Sequence, residues 1–108
     1  MINKYLLCLA VGPEEFCQTE VFKAGCEKDE VIVIARALYG RMRIGRCVLT
    51  DYGHVGCQAD VTLQTDRRCS GRHKCEVGIP DAVFDATRPC PLEFKTYFEA
   101  TYRCFKGT

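Results

Sequence analysis

Three observations predict a small, disulfide-rich domain that mixes β-strands with short helices. The chain of 108 residues carries 9 cysteines. Its strongest strand signal, Val31-Ile32-Val33-Ile34-Ala35, is β-branched and apolar on both faces, as a buried strand is. Its last segment alternates, with Phe98, Ala100, Tyr102 and Cys104 on one face and Tyr97, Glu99, Thr101 and Arg103 on the other. That period of two marks a half-buried strand.

At the N-terminus, one positive charge in Met1-Ile2-Asn3-Lys4 precedes an apolar stretch from Tyr5 to Val11. The stretch admits two readings: a short secretory-signal-like segment, with Ala10-Val11-Gly12 resembling a cleavage site, or a first strand with Leu6, Cys8 and Ala10 on one face. The Val31–Ala35 strand runs into Leu38-Tyr39-Gly40-Arg41, where the glycine permits a sharp turn or bulge. Thr50 to Gly56, with Asp51 and Gly53, reads as loop. Asp60 is placed to cap a helix running to about Arg68, with Asp66 and Arg67 facing water. The alternation of Val61, Leu63 and Thr65 keeps a strand open there, but helix is the favoured reading. Cys69 and Cys75 bracket the polar Ser70-Gly71-Arg72-His73-Lys74, which one local bridge could close. Pro80-Asp81 opens a short turn or helix leading to Phe84.

Composition bounds the function. The length fits one domain. Thiols stay reduced in the cytosol, so this cysteine density points to a secreted or extracellular protein. Eight cysteines (Cys17, Cys26, Cys47, Cys57, Cys69, Cys75, Cys90 and Cys104) form the framework, and spacing alone does not reveal their pairing. Cys8 stands apart and could link two copies into a homodimer. A net charge of +1 gives no strong field toward nucleic acid. No apolar run approaches the roughly 20 residues that a membrane span needs.

Catalysis needs a nucleophile, a tuned acid or base, or a metal. The two histidines, His54 and His73, sit in polar, loop-like segments, and Cys8 has apolar neighbours. Zinc through Cys57, Cys69 and Cys75 is conceivable, but the spacings do not match paired-ligand knuckles. The expectation is therefore a binding protein without catalytic residues, metal or cofactor. Basic residues cluster at Arg41, Arg43 and Arg46 and at Arg67, Arg68, Arg72 and Lys74, as a solvated face or as a surface for anions or acidic glycans. Sugar binding requires only fixed donors and acceptors in a small cleft. Tyr39 can both donate and accept, and Arg41 and Lys95 can donate.

The spacing of these residues adds a resemblance. Cys26 through Arg41, with its apolar strand and Ala37-Leu38-Tyr39-Gly40-Arg41, resembles the signature of the rhamnose/galactose-binding (sea-urchin-egg-lectin-like, SUEL-type) domains also found in latrophilin-type receptors. Cys17 lies nine residues before Cys26, Arg88-Pro89-Cys90 falls where that family has Asp-Pro-Cys, and Phe94 to Cys104 resembles its closing strand. The resemblance covers about Glu15 to Phe105 and implies a lectin domain at 15–106 behind an extension or first strand at 1–14. It implies an α+β fold of antiparallel strands with a few short helices, and bridges Cys17–Cys47, Cys26–Cys104, Cys57–Cys90 and Cys69–Cys75.

The implied ligands are galactosides or rhamnosides on cell surfaces or microbes, held without a metal. The implied carbohydrate-binding residues are Gln18, Tyr39, Gly40, Arg41, Arg88 and Lys95, and Asp85 joins them as a candidate in place of a lost acid. The chain departs from the pattern where Gln18 and Arg88 replace acids and Pro91-Leu92-Glu93 replaces a small pair. Asp85 or Glu93 could restore a carboxylate acceptor. The rival expectation is a protein-interaction or cell-adhesion module on the same scaffold, its sugar pocket blocked by Arg88 or Leu92. A third reading, a host-defence or toxin-like protein, uses the basic face against anionic surfaces.

Overall fold

The computed structural model of the protein describes residues 9–50 and 55–106. Leu6, Cys8, His54 and most of the loop expected at Thr50–Gly56 lie outside the described residues. The element order is β1 (Val11–Phe16), β2 (Val21–Gly25), β3 (Glu30–Arg41), β4 (Cys57–Asp60), α1 (Thr62–Cys69), β5 (Lys74–Gly78), α2 (Ala82–Asp85) and β6 (Tyr97–Lys106). An antiparallel sheet orders its strands β1-β6-β3-β4, and β2 and β5 form a separate antiparallel ribbon. The fold is a small disulfide-rich assembly of antiparallel strands with two short helices among the described residues.

The two strands with the clearest sequence patterns, β3 and β6, lie at the centre of the large sheet. Ile32 and Ile34 of β3 face the core, and so do Ala37 and Tyr39. Even- and odd-numbered residues share one face because the β3–β6 register shifts between Ile34 and Arg36. The irregularity expected at Gly40 therefore sits nearer Ala35. The expected turn at Leu38–Arg41 is absent: β3 continues through it, with Gly40 paired to Tyr97 on one side and Gln58 on the other. Gly40 is required for close approach, since a Cβ there would lie 2.3 Å from the Cys57 carbonyl oxygen, at φ +153°.

Phe98, Ala100 and Tyr102 of β6 pack with these β3 residues, with Phe22 of β2, Val77 of β5 and Phe84 of α2. Phe84 stacks on Phe98 at 4.9 Å between ring centroids, and Phe22 meets Phe98 edge-on at 5.3 Å. On the opposite side of the sheet, Leu38, Met42, Val48 and Tyr97 form a smaller cluster.

Helix α1 starts at Thr62, so its N-cap is Val61, which makes no side-chain capping bond, and not Asp60 as expected. Asp60 still serves the first turn, because its Oδ1 accepts from the Thr62 amide at 2.9 Å. Thr65 and Cys69, four residues apart, bury one face of the helix. Asp66, expected to face water, is half-buried and accepts from the Ser70 hydroxyl at 2.5 Å. Asp81 caps α2, accepting from the amides of Val83 and Phe84 at 3.0 and 3.2 Å. Arg68 clamps the same carboxylate at 2.7 Å.

Four disulfides tie these elements. Cys17–Cys47 joins the β1–β2 turn to the segment after β3, and Cys26–Cys104 joins the segment after β2 to β6. Cys57–Cys90 joins β4 to the segment after α2, and Cys69–Cys75 joins α1 to β5. The basic cluster Arg41, Arg43 and Arg46 is not one solvated face. Arg43 pairs with Glu15 and Glu99, Arg46 pairs with Glu20, and Arg41 is only 4% exposed.

Candidate functional site

The candidate site begins with α2. Because Asp81 caps the helix and Phe84 fills the core, the next residue, Asp85, emerges beside Tyr39. Tyr39 donates to Asp85 Oδ1 at 2.5 Å from a fully buried ring. Burial, followed by the Asp85 contact, raises the Tyr39 phenol above its ordinary pKa, so the hydroxyl stays protonated as a donor.

A groove of about 580 Å³ opens over this pair, lined by Gln18, Tyr39, Asp85, Arg88, Glu93 and Lys95 among others. Gln18 Nε2 donates to the Thr96 carbonyl at 2.7 Å and to its hydroxyl at 3.2 Å. This fixes the turn after β1 against the start of β6. Asp85, Arg88 and Lys95 are exposed. The groove also holds two residues with left-handed backbone that are not glycine, Thr19 (φ +74°) and Arg88 (φ +46°). Such conformations are costly for branched or bulky residues and persist where the surroundings hold them. Thr19 is held by its amide bond to the Ile79 carbonyl at 2.8 Å, and Arg88 by its amide bond to Asp85 at 3.0 Å.

The structure thus gathers five of the seven expected site residues (Gln18, Tyr39, Asp85, Arg88 and Lys95) around one groove. Gly40 is inside the sheet and does not line it. Arg41 does not line it either. Its guanidinium donates to the Lys95 carbonyl at 2.8 Å and the Thr50 carbonyl at 3.3 Å, and it lies 5.0 Å from the centre of the Phe94 ring. Arg41 therefore braces the segment that carries Lys95. It also lines a smaller neighbouring cleft of about 350 Å³ with Leu49, Glu93, Phe94 and Lys95.

Thr19 and Thr96 were not singled out in the sequence, although each adjoins a residue that was. Cys57, Cys69 and Cys75, weighed as zinc ligands, are all in disulfides and offer no thiolate. The Cys17–Glu20–Cys47 and Cys26–Glu30–Cys104 groupings consist of bridged sulfurs and one carboxylate each, so they also lack a ligand set.

Comparison with known proteins gives the fold a family. Residues 24–104 match the D-galactoside/L-rhamnose binding SUEL lectin domain. The chain belongs to this family. As a SUEL lectin domain, it is 34% identical over 101 residues to the L-rhamnose-binding lectin ELEL-1 of Echinometra lucunter, covering 91% of this chain and 95% of that protein. It is 33% identical over 111 residues to Latrophilin Cirl of Drosophila persimilis, covering 94% of this chain. A similar protein from Drosophila ananassae is 31% identical over 112 residues. The chain spans only 6% of either latrophilin, so it corresponds to one small part of them. No helix among the described residues of this SUEL domain is long and apolar enough to cross a membrane.

Proposed function

We propose that this SUEL domain is an extracellular lectin that binds galactose- or rhamnose-type glycans, without metal or catalysis, in the groove over Tyr39 and Asp85. The observation that supports this reading most is the convergence of Gln18, Tyr39, Asp85, Arg88 and Lys95 on that groove. Asp85 supplies the carboxylate acceptor that Gln18 and Arg88 do not. Arg88 and Lys95 are donors, and Arg41 positions Lys95 from behind. A glycan-array screen in the presence of a chelator, with Asp85→Asn as control, tests the proposal. Retention of galactosides or rhamnosides by the parent and weaker retention by the variant is the expected result. No retention of any saccharide contradicts it.

A second reading, a protein-interaction module on the same scaffold, draws support from Leu92, which is 83% exposed at the groove margin, and from the similarity to latrophilins. Against it, the groove stays open with Arg88 and Leu92 in its lining. A protein ligand that competes with no sugar would favour this second reading.

A further inference from the structure

The groove carries two cations that form no ion pair among the described residues. Ion pairs among the described residues are made by Arg43, Arg46, Arg68 and Lys106. Arg88 and Lys95 make none there, and both are exposed at the groove. Their backbones are nevertheless anchored. The Arg88 amide bonds to the Asp85 carbonyl, and Pro89 leads directly to Cys90, which is bridged to Cys57. The Lys95 carbonyl is held by Arg41 and the next carbonyl by Gln18.

The same groove holds two carboxylates with different roles. One oxygen of Asp85 accepts from Tyr39, which orients the group toward hydroxyl recognition. Glu93 is exposed and lines both this groove and the neighbouring cleft. A neutral sugar would match Asp85 and leave Arg88 and Lys95, which form no ion pair with Asp85 or Glu93, without a contact of opposite charge. A simple anion would match the cations and leave Asp85 opposed by like charge. A saccharide bearing an acidic substituent satisfies both, and charge-assisted bonds are the stronger kind.

We infer that the groove selects an acidic saccharide, its hydroxyls at Asp85 and Gln18 and its sulfate or carboxylate at Arg88 and Lys95. This rests on the carbohydrate-binding reading above and specifies its ligand class. It differs from the neutral galactose or rhamnose that the family's name describes.

The test is a calorimetric titration of the full chain with five probes: methyl β-galactoside, its 3-O-sulfate, its 6-O-sulfate, methyl galacturonide and sodium sulfate. At least one acidic sugar is expected to bind about tenfold more tightly than the neutral one, a difference that shrinks as salt is raised. The sulfates and the galacturonide separate the two anionic groups. Arg88→Gln and Lys95→Gln should each bring the ratio of acidic to neutral affinity most of the way back to one, whatever either does to the neutral galactoside. Lys95→Gln guards against misfolding at the left-handed Arg88 position, and thermal melting confirms that both variants are folded. Equal affinity for neutral and acidic sugars overturns the inference and leaves the carbohydrate reading intact. So does a preference unchanged in both folded variants, or sodium sulfate binding as tightly as the sulfated sugars. Failure of all these sugars and of methyl rhamnoside to bind overturns both readings.

Discussion

Tyr39 on the central strand donates its hydroxyl hydrogen to Asp85 at the end of α2, joining residues 46 apart in the chain at 2.5 Å. This bond couples the sheet to the one loop that bears most of the groove's charged side chains. Tyr39→Phe leaves the buried ring packed but removes the donor beneath Asp85. The expected cost is about 1–2 kcal/mol of stability, measured by chemical denaturation, together with weaker sugar binding by titration.

The buried phenols give an alkaline signature. Burial raises both Tyr39 and Tyr97 above their ordinary value of 10.0. A raised folded-state pKa stabilises below the unfolded value, and that stability is lost as pH rises through the folded value. Denaturation curves should therefore be flat with respect to these groups below about pH 10 and weaken above it. Ultraviolet titration should show phenols ionising late, and Tyr39→Phe should remove one of them.

Glu20 gives the opposite signature in acid. Its hydrogen bond to Arg46, followed by the one from the Cys17 amide, lowers its pKa from 4.5 to about 2. A lowered folded-state pKa contributes stability above the unfolded value that disappears as pH falls through the folded one. The window here is from about pH 4.5 down to about 2. NMR titration of the Glu20 carboxyl should report the low midpoint, and Arg46→Ala should return it toward an ordinary glutamate.

Arg41 should behave as a positioning residue. Truncation to Ala leaves the carbonyls of Lys95 and Thr50 without this donor and removes the cation from the Phe94 ring. These carbonyls are only partly buried, so water can replace the lost donor and the cost should stay below the roughly 1–3 kcal/mol of a fully buried unpaired group. Arg41→Lys should rescue little, because a single ammonium does not reproduce the planar fork. The readout is groove NMR shifts at Lys95 and Thr96 in the absence of ligand, which a purely ligand-contacting side chain would leave in place.

Cys57–Cys90 closes a loop of sequence separation 33 next to Arg88. Replacing both cysteines by Ala should cost about 3–4 kcal/mol by loop-closure entropy. It should also weaken sugar binding more than loss of Cys69–Cys75, whose residues do not line the groove.

Local patterns revealed the two central strands and the helix starts, because their signals are carried within a few residues. The alternation from Tyr97 to Cys104 appears in the structure as Phe98, Ala100 and Tyr102 in the core, but the strand is not half-buried at its start, where Tyr97 and Glu99 on the other face are buried as well. Asp81 caps α2 as a neighbouring side chain can. The β2–β5 ribbon was not legible: each strand has five residues, and its partner lies some fifty positions away. At Tyr39-Gly40-Arg41 the sequence suggests a turn or bulge, because glycine permits either. What demands glycine there is the Cys57–Gln58 backbone, which arrives from another part of the chain. Arg41 was expected to be a donor to sugar for the same reason, since nothing near it in sequence reveals the carbonyls it serves. In the sequence Asp85 is one candidate acceptor among the nearby acids, and its pairing with Tyr39 depends on tertiary packing. The bridge pairing entered through the family resemblance and not through spacing.

The most direct test of the account is an NMR titration of the isotope-labelled chain with methyl galactoside, methyl rhamnoside and their acidic counterparts, with chelator present. Saturable shifts centred on Gln18, Tyr39, Asp85, Arg88 and Lys95 are predicted. No shifts with any sugar, or shifts confined to a surface away from these residues, would contradict it.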